Sequence, residues 1–121
     1  MPQKSGPAPE QTEDGEAEKN SRPVAWLAEK DEIEKGKKFV ISGDELTLGQ
    51  LEENGIVVRD VSVSPAHARI RFVKNRYMLF DLASEHGTFL NGRKLLRPKA
   101  LADWDEIALG RFVFVFRCPG I

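Results

Sequence analysis

The side chains able to do chemistry in this sequence are concentrated between residues 59 and 91. Ser64, His67 and Asp81 supply the three residue types of a hydrolytic triad, in which a base takes the proton of a serine nucleophile. Ser64, however, is followed by Pro65, and neither a nucleophile elbow nor a glycine-rich oxyanion loop accompanies it. With no paired acid and base and no cofactor motif elsewhere, the sequence predicts a protein that is not an enzyme and carries no cofactor.

A metal site is the second chemistry that these residues suggest. His67, His86 and Glu85 offer two imidazoles and a carboxylate, but histidines this far apart in sequence are a weak indication of a metal site. The only cysteine is Cys118, which excludes an internal disulfide and a cysteine-based zinc site. We therefore predict no metal ion.

The composition limits the classes of partner. The chain has 121 residues, with 18 Lys and Arg against 19 Asp and Glu and a net charge of −1. This balance provides no long-range attraction for nucleic acid or for an anionic membrane. The sequence also has no apolar run long enough to cross a bilayer and no N-terminal signal segment. Together with Cys118 as a free thiol, these features favour a cytoplasmic, reducing compartment.

Residues 1–22 differ from the rest of the chain. They contain no aromatic residue and, after Met1, no large aliphatic residue, so they cannot bury enough surface to offset the entropy of ordering. We predict that they form a disordered tail or linker and that residues 23–121 form one domain. Thr12, in the acidic run Glu10–Glu18, leaves a regulatory tail open as the alternative.

From Pro23 onward the sequence breaks into short apolar runs separated by turn residues. The run Ala68–Phe72 alternates apolar and charged residues, as a strand with one buried face does. Phe112–Phe116 is apolar throughout, which is typical of a strand covered on both faces. Asn91-Gly92 is a two-residue hairpin signal, and no segment is long and periodic enough to predict a helix. The pattern predicts an all-β sandwich of two sheets with about ten or eleven short strands.

Ten runs carry this prediction, and they also define a predicted core. The runs are Val24–Leu27, Lys38–Ile41, Leu46–Leu48, Ile56–Val58, Ala68–Val73, Tyr77–Asp81, Thr88–Leu90, Lys94–Leu96, Glu106–Leu109 and Phe112–Phe116. The residues expected to be largely buried are Ile70, Phe72, Leu79, Phe89, Ile107 and Phe114.

Several sequence blocks between residues 48 and 110 match the pattern of a known family in their order and spacing. The blocks are Leu48-Gly49, Asn54–Val58, Asp60–Ala68, Phe80–Leu82, Ser84–Gly92 and Asp105–Gly110. Over roughly Val24–Phe116 the chain resembles the forkhead-associated (FHA) family. The resemblance implies an SMAD/FHA-like sandwich of two antiparallel sheets, whose loops at one end read phosphothreonine in a partner protein. Those loops correspond here to Gln50–Gly55, Asp60–Ala66 and Ala83–Gly87.

Several positions depart from the donor set that the resemblance implies for phosphate binding, which needs hydroxyl, amide and guanidinium groups. The phosphate-contacting serine is present as Ser64. Gln50 stands where the family usually has arginine, so a charge-assisted hydrogen bond worth about 1.5–3 kcal/mol is missing. Pro65 follows the serine and has no donor. Glu85 would repel phosphate, and His86 stands at the position of the asparagine that holds the partner's backbone.

Other residues near these loops complete the predicted site. Arg59 is a candidate substitute for the missing arginine, and His86, when protonated, is another source of positive charge. Asn91, in the block Ser84–Gly92, is counted with the ligand-binding positions. Three positions are expected to be structural parts of the recognition loops: Gly49, His67 and Gly87.

The sequence therefore predicts a protein–protein interaction module of the FHA type whose ordinary phosphothreonine binding is weakened or lost. The first alternative is a functional phosphothreonine reader that uses Ser64 with Arg59 or His86. The second is a structural or self-association domain that uses its sheet surface. The expected partner is another protein, with a phosphothreonine-containing segment as one form of ligand. No contact with nucleic acid or membrane is expected, and the oligomeric state is left open.

Overall fold

The computed structural model of the protein describes residues 22–120. Within this range there is one short 3₁₀ helix, Lys30–Lys35, and no helix long and apolar enough to cross a membrane. Each of the ten predicted runs overlaps a strand. The strand Lys99–Ala100 was missed because a lysine and an alanine give no strand signal. The strands are β1 (Trp26–Glu29), β2 (Phe39–Val40), β3 (Glu45–Gly49), β4 (Ile56–Val57), β5 (Ala68–Val73), β6 (Arg76–Asp81), β7 (Thr88–Leu90), β8 (Arg93–Lys94), β9 (Lys99–Ala100), β10 (Glu106–Leu109) and β11 (Phe112–Arg117).

The strands form two packed sheets, which confirms the predicted β-sandwich. The six-stranded sheet has the order β2-β1-β11-β10-β7-β8, and the five-stranded sheet has the order β9-β6-β5-β3-β4. Tyr77 of one sheet and Phe116 of the other pack with ring centroids 5.7 Å apart. The pairs are antiparallel except β3 with β4, where Leu48 lies opposite Ile56 in parallel register. This exception arises because the loop Gln50–Gly55 returns the chain alongside the end of β3.

Strand β5 shows how the sequence pattern positions the core. Ala68 and Ile70 are fully buried between the sheets. The alternate residues Arg69 and Arg71 lie on the outer face, each with a guanidinium nitrogen 3.7 Å from the Glu45 carboxylate. One face of the strand therefore contributes to the core and the other to the charged surface, as the alternation predicts.

The predicted core is largely confirmed, with one error. Phe72 is partly buried and packs against the core. The prediction for Phe89 is wrong: it is only half-buried, because β7 turns Thr88 inward and the two-residue period of a strand directs Phe89 to the opposite face. The predicted residues that are fully buried are Ile70, Leu79, Ile107 and Phe114.

Strand β11 is covered on both faces over its second half, as its apolar sequence predicts. Phe114 and Phe116 belong to the core, and Val115 is buried on the opposite side. There the 3₁₀ helix Lys30–Lys35 packs against β11. The sequence analysis missed this helix because a six-residue segment with one apolar side chain has no helical periodicity. Gly36, at a φ of +76°, ends it.

Next to this helix, the guanidinium of Arg117 lies within cation–π distance of two indole rings. Its centre is 3.7 Å from the ring centroid of Trp104 and 5.5 Å from that of Trp26. Asp103 holds the guanidinium through an Nε–Oδ1 distance of 2.8 Å, and the Nζ of Lys38 lies 4.4 Å from the Trp26 ring centroid. These cation–π contacts hold the segment before β10 against β1 and β11.

The first described residue, Arg22, packs on the domain although the sequence analysis assigned it to the tail. Its guanidinium lies 2.6 Å from the carboxylate of Asp44 and 5.8 Å from the ring centroid of Phe72. The Tyr77 hydroxyl donates to the carbonyl of Pro23 at 2.6 Å. Arg22 and Pro23 thus both contact the sandwich, and residues 1–21 of the predicted tail lie outside the described residues.

Candidate functional site

Three loops meet at one end of the sandwich, and they are the loops that the sequence predicts as the site. Gln50–Gly55 follows β3, Asp60–Ala66 lies between β4 and β5, and Ala83–Gly87 lies between β6 and β7. We call these three loops the loop cluster. Backbone bonds join the first loop to the second, and the side chains of Ser64 and His67 join the second loop to the third.

The first two loops touch backbone to backbone at Gly49. The N–H of Gln50 donates to the carbonyl of Ser64 at 3.0 Å, and the N–H of Leu51 donates to the carbonyl of Pro65 at 3.2 Å. A Cβ atom on Gly49 would stand 2.3 Å from that Pro65 oxygen, well inside contact distance. Glycine is therefore needed here because another backbone approaches so closely.

His67 connects the second loop to the third. It is fully buried, its Nδ1 lies 3.0 Å from the N–H of Ser64, and its Nε2 lies 2.9 Å from the carbonyl oxygen of Gly87. Because the amide only donates and the carbonyl only accepts, the ring is a neutral imidazole with its proton on Nε2. Both ring nitrogens are thus occupied, and His67 has no lone pair left for a metal ion. Among residues 22–120 no group of three or more His, Cys, Asp or Glu side chains is arranged as a metal site.

Hydroxyl groups fix the shape of the third loop. The Oγ of Ser64 accepts the N–H of Glu85 at 2.9 Å. Asp81 accepts hydrogen bonds from the hydroxyls of Ser84 and Thr88, the latter at 2.7 Å. Burial alone would raise the pKa of Asp81, but these hydroxyl bonds outweigh it and lower the pKa below its ordinary value. Asp81 is therefore an ionised anchor of the loop rather than a general base.

A second bonded group closes the other side of the loop cluster. Asp60 accepts hydrogen bonds from the hydroxyl and the N–H of Ser62, and its Oδ1 lies 2.6 Å from the guanidinium of Arg111. The Ser62 bonds, with Arg111 beside them, lower the pKa of Asp60 from 3.8 to about 2. The sequence analysis missed Arg111. Its signal is the preceding Gly110, where a Cβ would stand 2.2 Å from the Ser62 hydroxyl and φ is +57°.

Gln50, at the position of the family's arginine, and Arg59, its candidate substitute, both have partners within the protein. The side-chain amide of Gln50 donates to the backbone carbonyl of Asp60 at 2.8 Å. The guanidinium of Arg59 lies 2.9 Å from the carboxylate of Glu52. Together with Val61 they line an open groove of about 380 Å³. The groove therefore has polar walls, but its one amide donor and its one cation already have partners.

The exposed end of the third loop carries a negative charge. The side chain of Glu85 is 79% exposed and that of His86 is 60% exposed, with the Nε2 of His86 4.0 Å from the Glu85 carboxylate. Pro65 is also exposed and contributes no donor. An incoming anion therefore meets a carboxylate at the position where the resemblance implies a phosphate neighbour.

The structure does not bring Asn91 together with the loop cluster. Asn91 lies at the turn between β7 and β8, where its amide donates to Asp105 at 3.0 Å and its carbonyl oxygen accepts the N–H of Glu106 at 2.9 Å. Glu106 begins β10, whereas Leu109, at the other end of β10, pairs with Thr88 beside the third loop. Asn91 fixes a hairpin at the end of the strand that points away from the loop cluster.

Comparison with known proteins gives a consistent result for the family. A family model described as FHA domain matches residues 46–110. The glycogen accumulation regulator GarA of Mycobacterium tuberculosis strain H37Rv is 32% identical over 81 residues, which is 67% of this chain and 49% of that protein. The chain thus spans about half the length of the curated relatives it matches.

Solved structures give the same result for the fold. Mycobacterium tuberculosis EmbR in complex with a low-affinity phosphopeptide is similar with a TM-score of 0.72 and 27% identity, covering 79% of this chain and 24% of that one. A structure from a study of phosphothreonine-dependent FHA domain interactions matches with a TM-score of 0.72 and 26% identity, covering 81% of this chain and 99% of the other. Both similarities extend well beyond the loop cluster, to most of the sandwich.

Proposed function

Because the chain belongs to the FHA domain family, we propose that its loop cluster binds a segment of another protein with a weak preference for phosphothreonine. The domain is a protein-interaction module of the FHA type. What the loop cluster retains is the framework for a ligand: rigid loops, an exposed groove and the hydroxyl of Ser64. What it lacks, among the described residues, is an arginine free to meet a phosphate.

The observation that carries the proposal is the pairing of Arg59 and Arg111, the two arginines that lie against the loop cluster in the described part of the chain. Arg59 is bonded to Glu52, and Arg111 is bonded to Asp60. A dianionic phosphate would have to displace a carboxylate from one of them before gaining a bond from a guanidinium, which is a strong kind of phosphate contact. It would also approach the exposed Glu85. Phosphate recognition is thereby reduced by pairing as well as by the replacement of arginine with Gln50.

One observation favours a working phosphothreonine reader as the second candidate. The side chains of Arg59 and Glu52 are 66% and 79% exposed. Exposed ion pairs contribute only about 0–1 kcal/mol, so a phosphate can displace Glu52 at little cost. In that case Arg59 would replace the missing arginine, with Ser64 as the hydroxyl donor.

Two further parts of the proposal concern chemistry and compartment. We infer that the domain acts without catalysis. His67 accepts the backbone N–H of Ser64, whereas the Ser64 hydroxyl accepts the N–H of Glu85. Asp81 is bonded to the hydroxyls of Ser84 and Thr88, so the three side chains are not linked as a triad. We also place the domain in the cytoplasm. In support, burial raises the pKa of the Cys118 thiol, which remains protonated and unpaired, in keeping with a reducing compartment.

The test is a calorimetric titration with an oriented pool of threonine peptides, each prepared with and without phosphate. We expect the wild-type chain to show little preference for the phosphorylated form. The double variant Gln50→Arg with Glu85→Thr should prefer it by about tenfold or more, since it gains a guanidinium and a hydroxyl and loses a carboxylate.

Two controls make this test specific. Adding Ser64→Ala to the double variant should remove most of the gain, because the restored arginine needs the hydroxyl beside it. Arg59→Gln in the wild-type background should change nothing if Arg59 remains paired with Glu52. Tight, phosphate-dependent binding by the wild-type chain that Arg59→Gln abolishes would replace the proposal with the second candidate.

A further inference from the structure

A groove with basic walls runs along the open side of the sandwich, between the edge strands of the two sheets. Strand β8 is the edge of the six-stranded sheet, and β9 is the edge of the five-stranded sheet. The groove between them has a volume of about 520 Å³. Its lining comes from one continuous stretch of chain, Leu90–Lys99. We call it the basic groove.

The basic groove concentrates positive charge that the fold does not use. Arg93, Lys94, Arg97 and Lys99 all line it and are all exposed. No carboxylate among residues 22–120 lies within ion-pair distance of any of them. The carboxylate of Asp105, behind the groove, accepts hydrogen bonds from the side-chain amide of Asn91 and the N–H of Ala102. Four cations in seven residues thus face solvent, in a protein whose net charge is −1.

An exposed leucine lies on the same surface. Leu95 is buried and anchors the connection between β8 and β9, whereas Leu96 beside it is 84% exposed. Leu95, Leu96 and Arg97 also line a second concavity of about 300 Å³. A ligand on this surface therefore meets both cations and an exposed aliphatic side chain.

The basic groove is continuous with the loop cluster. The second concavity is bounded by Ala83, the first residue of the third loop. The stem of Lys94 lies directly over Gly87, the last residue of that loop, where a Cβ would stand 2.9 Å from the Lys94 Cε. The two surfaces therefore adjoin. The Asp81 carboxylate also lines the second concavity, where it accepts hydrogen bonds from Ser84 and Thr88.

Edge strands often carry charges that prevent association with another sheet, and Lys94 and Lys99 suit that role. Edge protection does not require four cations of one sign around a concavity with an exposed leucine. No aromatic side chain among residues 22–120 lines the groove, which disfavours single-stranded nucleic acid because such ligands bind through base stacking. The overall net charge disfavours a membrane surface.

We propose that the basic groove binds a segment of a partner protein that is rich in Asp and Glu and contains an aliphatic residue, independently of phosphothreonine. The carboxylates would pair with Arg93 and Arg97, whose guanidinium groups suit bidentate contact, and the aliphatic side chain would pack on Leu96. This inference rests on the proposed function, that of a protein-interaction module, and assigns part of its ligand recognition to a second surface.

The probe is a fluorescein-labelled peptide of alternating Glu and Ser around a central Leu, with a twin in which Gln replaces Glu. Fluorescence anisotropy measures its binding to the full chain. We expect the Glu peptide to bind, the Gln peptide to bind at least tenfold more weakly, and the affinity to fall when salt rises from about 0.05 M to about 0.5 M.

Matched charge-reversal variants locate the binding. Arg93→Glu with Arg97→Glu should weaken binding about tenfold or more. Lys74→Glu with Arg76→Glu changes the net charge equally at the exposed β5–β6 turn and should weaken it less than twofold. Leu96→Ser should weaken binding of the Glu peptide several-fold. Thermal melts of all variants confirm that each remains folded.

Four outcomes would overturn the inference. Equal losses of affinity in the two charge-reversal variants would mean that the Glu peptide is attracted by the net charge and not by the basic groove. Tighter binding of a single-stranded oligonucleotide or of phosphatidylserine vesicles would assign the groove to another ligand class. Binding that appears only after Glu10, Glu13, Glu16 and Glu18 are changed to Gln would show that the chain's own segment occupies the groove. No binding by the wild-type chain would leave edge protection as the role of the cations.

The experiments distinguish failure of the basic-groove proposal from failure of the proposed function of the loop cluster. If the Glu peptide does not bind while Ser64-dependent binding of threonine peptides persists, only the basic groove is excluded. If the Glu peptide binds at the groove and the double variant of the loop cluster gains no phosphate preference, only the proposal for the loop cluster falls.

Discussion

The loop cluster and the basic groove use polar side chains in opposite ways. In the loop cluster, Asp60, Ser64 and His67 donate and accept hydrogen bonds within the protein, and these bonds hold three loops together. In the basic groove, Arg93 and Arg97 have no partner among the described residues. Groups that hold a fold together are costly to divert to a ligand, whereas groups that the fold does not use are free to bind one.

This contrast predicts where substitutions affect folding and where they affect binding only. In the loop cluster a removed side chain leaves a buried partner unsatisfied, so stability should fall. In the basic groove a removed side chain was exposed to solvent, so stability should hardly change. The two surfaces can be compared by the free energy of unfolding, which needs no knowledge of the ligand.

The largest effect is expected from His67, for which the exposed His86 is the matched control. His67→Ala should lower the free energy of unfolding by about 2–4 kcal/mol, because it leaves a cavity and removes the partners of Ser64 and Gly87. His86→Ala, at an exposed position, should change it by less than about 0.5 kcal/mol. Urea denaturation measures both changes in the free energy of unfolding. The comparison holds when that free energy depends on urea concentration with the same slope in wild type and variants. Equal costs for the two variants would show that His67 does not hold the loops together.

A pH-dependent effect is expected from Asp60. Since the folded pKa of about 2 lies below the ordinary value of 3.8, its contribution to stability is complete above about pH 4 and is lost as the pH falls toward 2. Asp60→Asn should therefore be less stable than the wild type at pH 5, and the difference should shrink toward pH 2. Unfolding curves of the two proteins across this range measure it. A difference that does not depend on pH would contradict an ionised Asp60 bonded to Arg111 and Ser62.

The smallest effect is expected from the basic groove. Arg93→Gln with Arg97→Gln should change the free energy of unfolding by less than about 0.5 kcal/mol, since neither guanidinium has a partner to lose and mutual repulsion is relieved. The same urea experiment measures it. A loss well above 1 kcal/mol would mean that these arginines support the fold, and the contrast between the two surfaces would fail.

The strands and the loops were predictable from the sequence because their signals are local. Alternation in Ala68–Phe72 and the unbroken apolar run Phe112–Phe116 depend on the period of two residues in a strand. The spacing of the family blocks identified the three loops before any contact was known. Phe89 was misplaced because a three-residue strand is too short for its alternation to show which face is buried.

The pairing of side chains was not predictable, because it joins residues far apart in the chain. Arg111 reaches Asp60 only because β10 and β11 bring the turn between them beside the second loop. Likewise, the sequence suggested Arg59 as a substitute cation, but it did not show that Glu52 neutralises it. The basic groove was missed for a related reason: the sequence places Arg93 and Lys99 close together, but it does not show that two sheet edges leave a concavity there.

The two tryptophans beside Arg117 provide an intrinsic fluorescence signal for the folding of the sandwich. Trp26 and Trp104 are the only two indoles of the chain, and both contact one guanidinium at the end of β11. The start of that strand adjoins the loop cluster, so six residues at about 3.3 Å each place roughly 17–20 Å between the indoles and the loops. Tryptophan emission should therefore follow the unfolding of the six-stranded sheet and should not change when a ligand binds at the loops. One sample then yields separate measurements of folding, from the tryptophans, and of binding, from a labelled peptide.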